Sequence, residues 1–285
     1  MDESPDPSGT DGSNLATPIS TRGPGWLFVP ADRPDRFAKA AASADLVIID
    51  LEDAVRAADK ERARQTLRTA DLDVEQTCIR INGFATADFA ADLALVRELG
   101  VRTIMLPMTE EDQPLDLLSD FQVIALVETA KGVSGVESIA AVPCVQALAL
   151  GSADLQLDLR SRALPGAESA FDDLLAFART RLLFAARSFD IAAIDSAHVA
   201  ITDESGLAGA ASTAAAYGFD GKLAIHPRQV PLIRRAFAPT SGELEWARAV
   251  VRGAHSHSVG AFALDGELID EVVIRRAEML LRLAS

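Results

Sequence analysis

The sequence predicts an α/β protein built as a (β/α)8 (TIM) barrel that carries a C-terminal helical and hairpin lid. Three observations lead there. Short runs rich in β-branched and other apolar residues recur eight times along the 285 residues, and amphipathic stretches alternate with them. The first run also lacks the glycine-rich turn that opens a dinucleotide-binding sheet, which disfavours an open doubly wound arrangement.

Residues 1–23 are rich in Asp, Ser, Gly, Thr and Pro, hold little that a core could bury, and read as a disordered tail. The barrel is expected over 24–238. Its strands are WLFVPA (26–31), DLVIIDLE (45–52), QTCIRIN (76–82), RTIMLPM (102–108), QVIALVET (122–129), VQALALG (145–151), IAAIDS (191–196) and KLAIHP (222–227). Several are almost wholly apolar, as strands covered on both faces must be. DKERARQTLRTA, TADFAADLALVREL and AFDDLLAFARTRLLFAARSF repeat apolar residues at helical spacing with charges opposite, and read as crossover helices. Residues 239–285 exceed a minimal barrel. Within them SGELEWARAVVRGAHSHS reads as a helix, GAFALDG as a short hairpin turning at Asp265-Gly266, and the segment around IRRAEMLLRLA as a final helix.

Composition narrows the function classes. A formal net charge of -15 repels phosphate backbones and anionic membrane surfaces, and no local basic patch offsets it, so neither nucleic acid nor membrane is an expected partner. No uninterrupted apolar run is long enough to span a bilayer, and the N-terminal stretch lacks the features of a secretory signal. Cys78 and Cys144 sit in or beside apolar runs without metal-ligand spacing, which reads as buried reduced thiols and fits a cytoplasmic location.

In a barrel of this kind polar residues at strand ends carry the chemistry, a rule that selects Glu52, Arg80, Glu128, Asp154 and His226. Glu128 ends the fifth run and Asp154 follows the sixth, so neighbouring strands would present two carboxylates at one mouth. Two oxygen ligands completed by water and substrate suit Mg2+, whereas the competing reading has Glu128 capping a helix and Asp154 binding backbone amides. Arg80 interrupts the apolar C-I-R-I-N, where a guanidinium needs an anion: a substrate carboxylate, or an internal partner in Asp50 or Glu52, or both. Within D-L-E-D-A, Glu52 is the acid taken for a site role. His226 is open between a titrating site residue and a structural one at the strand-to-loop step.

The segments D-L-E-D-A-V, R-I-N-G, A-L-V-E-T-A-K-G, G-S-A-D-L, G-F-D-G-K-L-A-I-H-P-R-Q-V and G-A-F-A-L-D-G-E-L-I-D, in this order, resemble the citrate lyase β-subunit-like group of the HpcH/HpaI aldolase superfamily. The resemblance covers nearly everything after the tail. It implies Mg2+ held by Glu128 and Asp154, with Arg80 and Glu128 binding the substrate and Arg80 holding the carboxylate of a 2-oxo acid. It further implies a supporting role for Glu52, and for Asp270 a catalytic proton carried on the C-terminal lid toward a neighbouring subunit of a homotrimer or a multiple of one. The implied activity is Mg2+-dependent carbon–carbon cleavage of a 3-hydroxy-diacid acyl-CoA thioester, with coenzyme A as part of the substrate. An acyl-CoA thioesterase of the same fold and a non-catalytic acyl-CoA or oxo-acid-binding barrel are the alternatives. Ala153 and Met108 motivate the last, because they stand where the resembled group often has an acid and a lysine. The proline common two positions after the lid acid is also absent, since Glu271 and Val272 follow Asp270.

Overall fold

Parallel strands whose side chains alternate between two covered faces need apolar residues at both parities, and the eight runs supply them. In a computed structural model, which describes residues 18–163, 172–256 and 261–284, they form β1 (Gly25–Pro30), β2 (Leu46–Asp50), β3 (Thr77–Arg80), β4 (Thr103–Leu106), β5 (Gln122–Val127), β6 (Val145–Leu150), β7 (Ala192–Asp195) and β8 (Gly221–Ala224). Each pairs in parallel with the next and β8 returns to β1, closing the barrel as expected. The inward set includes Trp26, Leu46, Ile48, Cys78, Met105, Ile124, Leu126 and Leu223, packed against one another. The other parity, including Val47, Ile49, Ile79, Ile104 and Val123, packs on the helices.

The helices are α1 (Phe37–Ser43), α2 (Lys60–Thr69), α3 (Phe89–Leu99), α4 (Ala130–Ser134), α5 (Val136–Ala140), α6 (Ser152–Asp158), α7 (Asp172–Ser188), α8 (Glu204–Tyr217) and α9 (Gln229–Phe237). One connection departs from the alternation. Between β4 and β5 the chain makes only a 3-10 turn, Leu115–Leu118, which Pro114 precedes. Leu115 and Leu118 still fill the layer outside the barrel, so the short turn covers the strands as a helix would.

The tail expected over 1–23 lies outside the described residues as far as 17, and from Pro18 the chain is folded. A 3-10 turn at Ile19–Thr21 puts Ile19, 2% exposed, into the inward cluster beside Trp26. The folded body therefore starts a few residues earlier than composition indicated, because a single buried isoleucine outweighs its polar neighbours. Both cysteines are buried and free, as expected.

Beyond the barrel, α10 (Ser241–Ser256), β9 (Phe262–Leu264), β10 (Glu267–Ile269) and α11 (Glu271–Arg282) form an extension with its own small core of Ala247, Val250, Phe262, Ile269 and Ala277. The hairpin turns where the sequence places it. Asp265 at φ 50° and Gly266 at φ 87° supply the left-handed pair that a two-residue hairpin turn requires.

A buried polar network ties the mouth of the barrel to its helix layer. Asp92 on α3, 0% exposed, accepts from Asn82 N and Nδ2 at 2.9 and 2.6 Å and from Arg64 Nη1 at 2.9 Å. Asn82 Nδ2 in turn donates to Leu51 O at 3.1 Å, and Lys60 Nζ donates to Leu51 O, Glu52 O and Asn82 Oδ1. The loop after β2 is thus held from below. Asp92→Ala should lower unfolding free energy by about 3 kcal/mol, since it strands buried donors and one side of a buried guanidinium; a denaturant titration in which the midpoint does not move would refute the network's importance.

Candidate active site

Strand parity decides which polar side chains enter the barrel. Asp50, Arg80 and Glu128 each come two residues after an inward apolar side chain (Ile48, Cys78 and Leu126), so all three turn into the mouth. Together with Gly151, Ser152, Ala153 and Asp154 they line a cavity of about 730 Å3. Its other walls are Phe28, Pro30, Ala197, Val199, Leu223, Ile225, His226 and Pro227, and Arg36 and Lys39 line it as cations. The cavity therefore has an acidic side and an apolar side.

Arg80 is held inside the molecule. Its Nε and Nη2 donate to the two oxygens of Asp50 at 2.8 and 2.6 Å, Nη1 lies 3.0 Å from Glu52 Oε2, and the guanidinium sits 4.9 Å over the Phe28 ring. Asp50 is itself fixed by the backbone N–H groups of Glu52 and Ala54. Burial would depress the Arg80 proton affinity, but the hydrogen bonds and charge of Asp50, with Glu52 and Asp53, outweigh it and hold the pKa raised. The internal partner left open by the sequence is thus Asp50, with Glu52 second. A guanidinium has five N–H donors. Asp50 takes two of them and Glu52 meets Nη1, so one N–H remains on each terminal nitrogen.

Glu52 is brought to Arg80, but it is Asp53 that lines the cavity. Burial pushes the Glu52 carboxyl up to about 7, with Asp53 and Asp50 adding to the shift and Arg80 opposing it. Asp53 was passed over because three acids in five residues give no sequence signal of which faces inward.

Glu128 and Asp154 come together as the sequence implies. Burial pushes Glu128 up to about 8, the Asp154 charge adds to this, and the Met108 N–H, donating to Glu128 Oε1 at 2.8 Å, opposes it. Asp154, in the first turn of α6, is also raised, by burial first and then by Asp53, while a hydrogen bond from Glu128 works against the shift. The Arg80 charge opposes the rise in both, but the guanidinium's hydrogen bonds go to Asp50. Among the described residues no group of three or more His, Cys, Asp or Glu could hold a metal, and two carboxylates completed by water and substrate oxygens are a donor set that Mg2+ often uses. The pair fits that ion.

Two residues whose role the sequence did not reveal complete the pair. Gly151 packs so closely on Glu128 that an added Cβ would come within 2.6 Å of Glu128 Cβ and run into the carboxylate. Met108 adopts φ 49°, a left-handed conformation rare for a residue with a side chain, and so aims its N–H at Glu128. An apolar run followed by G-S-A-D carries the first signal, in that glycine precedes a ligand; nothing local announces the second.

Asp270 is not brought to this cavity. It begins α11, and its Oδ1 accepts from Val272 N at 3.0 Å and Val273 N at 3.1 Å, so within one chain it acts as a helix cap. His226 lines the apolar wall, and its Nδ1 accepts from Arg228 N at 3.2 Å.

The model of the HpcH/HpaI aldolase/citrate lyase family matches residues 25–227. A citrate lyase subunit β-like protein of Mycobacterium tuberculosis is 44% identical over 266 residues, 93% of this chain and 97% of its own length. A (3S)-malyl-CoA thioesterase of Cereibacter sphaeroides is 32% identical over 268 residues, 90% of this chain and 92% of its own. The crystal structure of CitE from Mycobacterium tuberculosis in complex with magnesium, acetoacetate and coenzyme A superposes with a TM-score of 0.87 at 44% identity, covering 93% of this chain and 99% of that one. With the barrel, the carboxylate pair and Arg80 all in the matched span, the chain belongs to the HpcH/HpaI aldolase/citrate lyase family, among its citrate lyase β-subunit-like members.

Proposed function

We propose that the chain is a Mg2+-dependent carbon–carbon lyase that splits a 3-hydroxy-diacid acyl-CoA thioester of the citramalyl-, malyl- or citryl-CoA type into a 2-oxo acid and an acyl-CoA, or joins them in reverse. The observation that carries the reading is that buried Glu128 and partly buried Asp154 line one cavity wall together, beside an arginine that keeps two N–H donors.

Glu128 and Asp154 would hold Mg2+, which supplies a Lewis acid for the oxygens of the oxo-acid half. The two remaining Arg80 donors suit the substrate carboxylate, and Asp50 and Glu52 keep the guanidinium charged and aimed. The apolar wall of Phe28, Val199, Ile225 and Pro227 suits the acyl-CoA arm and keeps water from the thioester, while Arg36 and Lys39 offer charge to its phosphates. In the cleavage direction a base takes the C3 hydroxyl proton, the C2–C3 bond breaks, and its electron pair enters the thioester as an enolate that is then protonated at C2. Asp270 is assigned that base from a neighbouring subunit of a homotrimer or a multiple of one. Three features support this: Asp270 does not line its own cavity, both capping bonds fall on Oδ1 so that Oδ2 is left for the substrate, and the exposed Leu268 and Val272 beside it form an apolar tip. Thioester hydrolysis is the second reading, favoured by the Cereibacter sphaeroides relative.

The test incubates the protein with malyl-CoA and with citramalyl-CoA in the presence of Mg2+ and follows oxo acid and free CoA separately. Oxo acid without free CoA is expected; free CoA alone would replace the lyase by the thioesterase. Asp270→Asn should lower kcat about a hundredfold while leaving CoA binding within about twofold.

Two further outcomes follow from the acid pair. Glu128 must lose its proton to bind a metal, so below about pH 8 the affinity for Mg2+ should fall roughly tenfold per pH unit and each ion bound should release about one proton, the release vanishing at higher pH. Calorimetry in buffers of different ionisation enthalpy reads this, and proton release independent of pH would be incompatible with it. Gly151→Ala should weaken Mg2+ binding more than about tenfold, with the circular dichroism spectrum unchanged, because the new methyl takes the space of the Glu128 carboxylate.

A further inference from the structure

We infer that Gln229 is a positioning residue that locks the β7 and β8 loops into one wall of the cavity and thereby sets affinity for the organic ligand while leaving the metal pair untouched. Gln229 opens α9 and is 1% exposed. Its Oε1 accepts from Ile225 N at 2.8 Å and from His226 N at 3.2 Å, and its Nε2 donates to His198 O at 2.8 Å. All three contacts match the amide as oriented, and flipping it would set donor against donor and acceptor against acceptor.

A capping role for α9 would need only the first two bonds. The third crosses to a different loop, the one between β7 and α8. That loop contributes Ala197 and Val199 to the cavity, and the loop between β8 and Gln229 contributes Ile225, His226 and Pro227. The cross-link therefore joins the two halves of the apolar wall. Lys222 on β8 reinforces it, donating to Ser196 O and to Asp195 Oδ2, both at 2.6 Å, so the β7 loop is held at two nearby points from the same side. The bond from Arg228 N to His226 Nδ1 places the hydrogen of the neutral ring on Nε2, and the clamp fixes where that ring stands. Glu128 directly follows β5 and Asp154 lies in α6 after β6, and among the described residues no hydrogen bond ties either of them to the clamp.

The inference rests on the reading that an acyl-CoA fills this cavity, and its test separates the two. Mg2+ alone, and coenzyme A in the presence of Mg2+, are titrated by calorimetry into the full-length protein and into Gln229→Met and Gln229→Glu. Amide exchange at Ile225 and His226 is read in parallel. Gln229→Met keeps the length and loses all three bonds, whereas Gln229→Glu keeps an acceptor for Ile225 and His226 and loses only the donor to His198. Expected are unchanged Mg2+ affinity in both variants, coenzyme A affinity at least about tenfold lower in the Met variant and less reduced in the Glu variant, and faster exchange in the same order. Should the Met variant not fold, the Glu variant carries the test through the same split between ligands. Coenzyme A affinity within twofold of wild type in a folded variant with fast exchange overturns the inference, as does a parallel loss of Mg2+ binding. A wild-type protein with slow exchange and no affinity for coenzyme A overturns the functional reading and leaves the clamp standing as a purely structural lock.

Discussion

Asp50 and Arg80, locked together by hydrogen bonds of 2.8 and 2.6 Å at the ends of two adjacent strands, set the terms for every charge around them. A guanidinium taken out of water must be paired, and Asp50 pairs it from one edge while Glu52 meets Nη1 and one N–H is left on each terminal nitrogen. The same closure commits the Arg80 hydrogen bonds to Asp50 and leaves Glu128 and Asp154 only its charge at a distance. Two carboxyl groups left beside each other in a poorly hydrated mouth either keep a proton or recruit a metal, and the raised pKa values of both express that choice. One buried pair thus shapes both the cationic edge of the cavity and its acidic side.

Much of this was legible in the sequence, for a specific reason. In a closed parallel barrel every strand is apolar on both faces, so a charged residue in or at the end of an apolar run stands out. Arg80 in C-I-R-I-N and Glu128 in A-L-V-E-T did so, and their inward direction followed from a two-residue repeat. The hairpin at Asp265-Gly266 was equally local. What escaped depends on contacts between segments far apart in the chain. Gly151 matters through the space taken by Glu128, Gln229 through a carbonyl on another loop, and Asp53 through the orientation of a turn held by Lys60 and Asn82. The missing helix between β4 and β5 and the early start at Ile19 belong to the same class, since packing, and not local pattern, settles both.

The C-terminal extension follows different rules from the barrel. Its five-residue core is its own, and its two most exposed large hydrophobic residues, Leu268 and Val272, flank the acid that caps α11. The extension thus folds around its own core and leaves apolar surface beside a carboxylate.

The backbone at Met108 has a consequence for how this site tolerates change over evolutionary time. The contact that position makes with Glu128 comes from the main-chain N–H, presented by a left-handed turn, and the thioether itself is 42% exposed. Peptide groups are the same whatever side chain is attached. A lineage can therefore exchange the side chain here while the brace on Glu128 is inherited intact; the mutable part of the position and the indispensable part have been separated along a single bond.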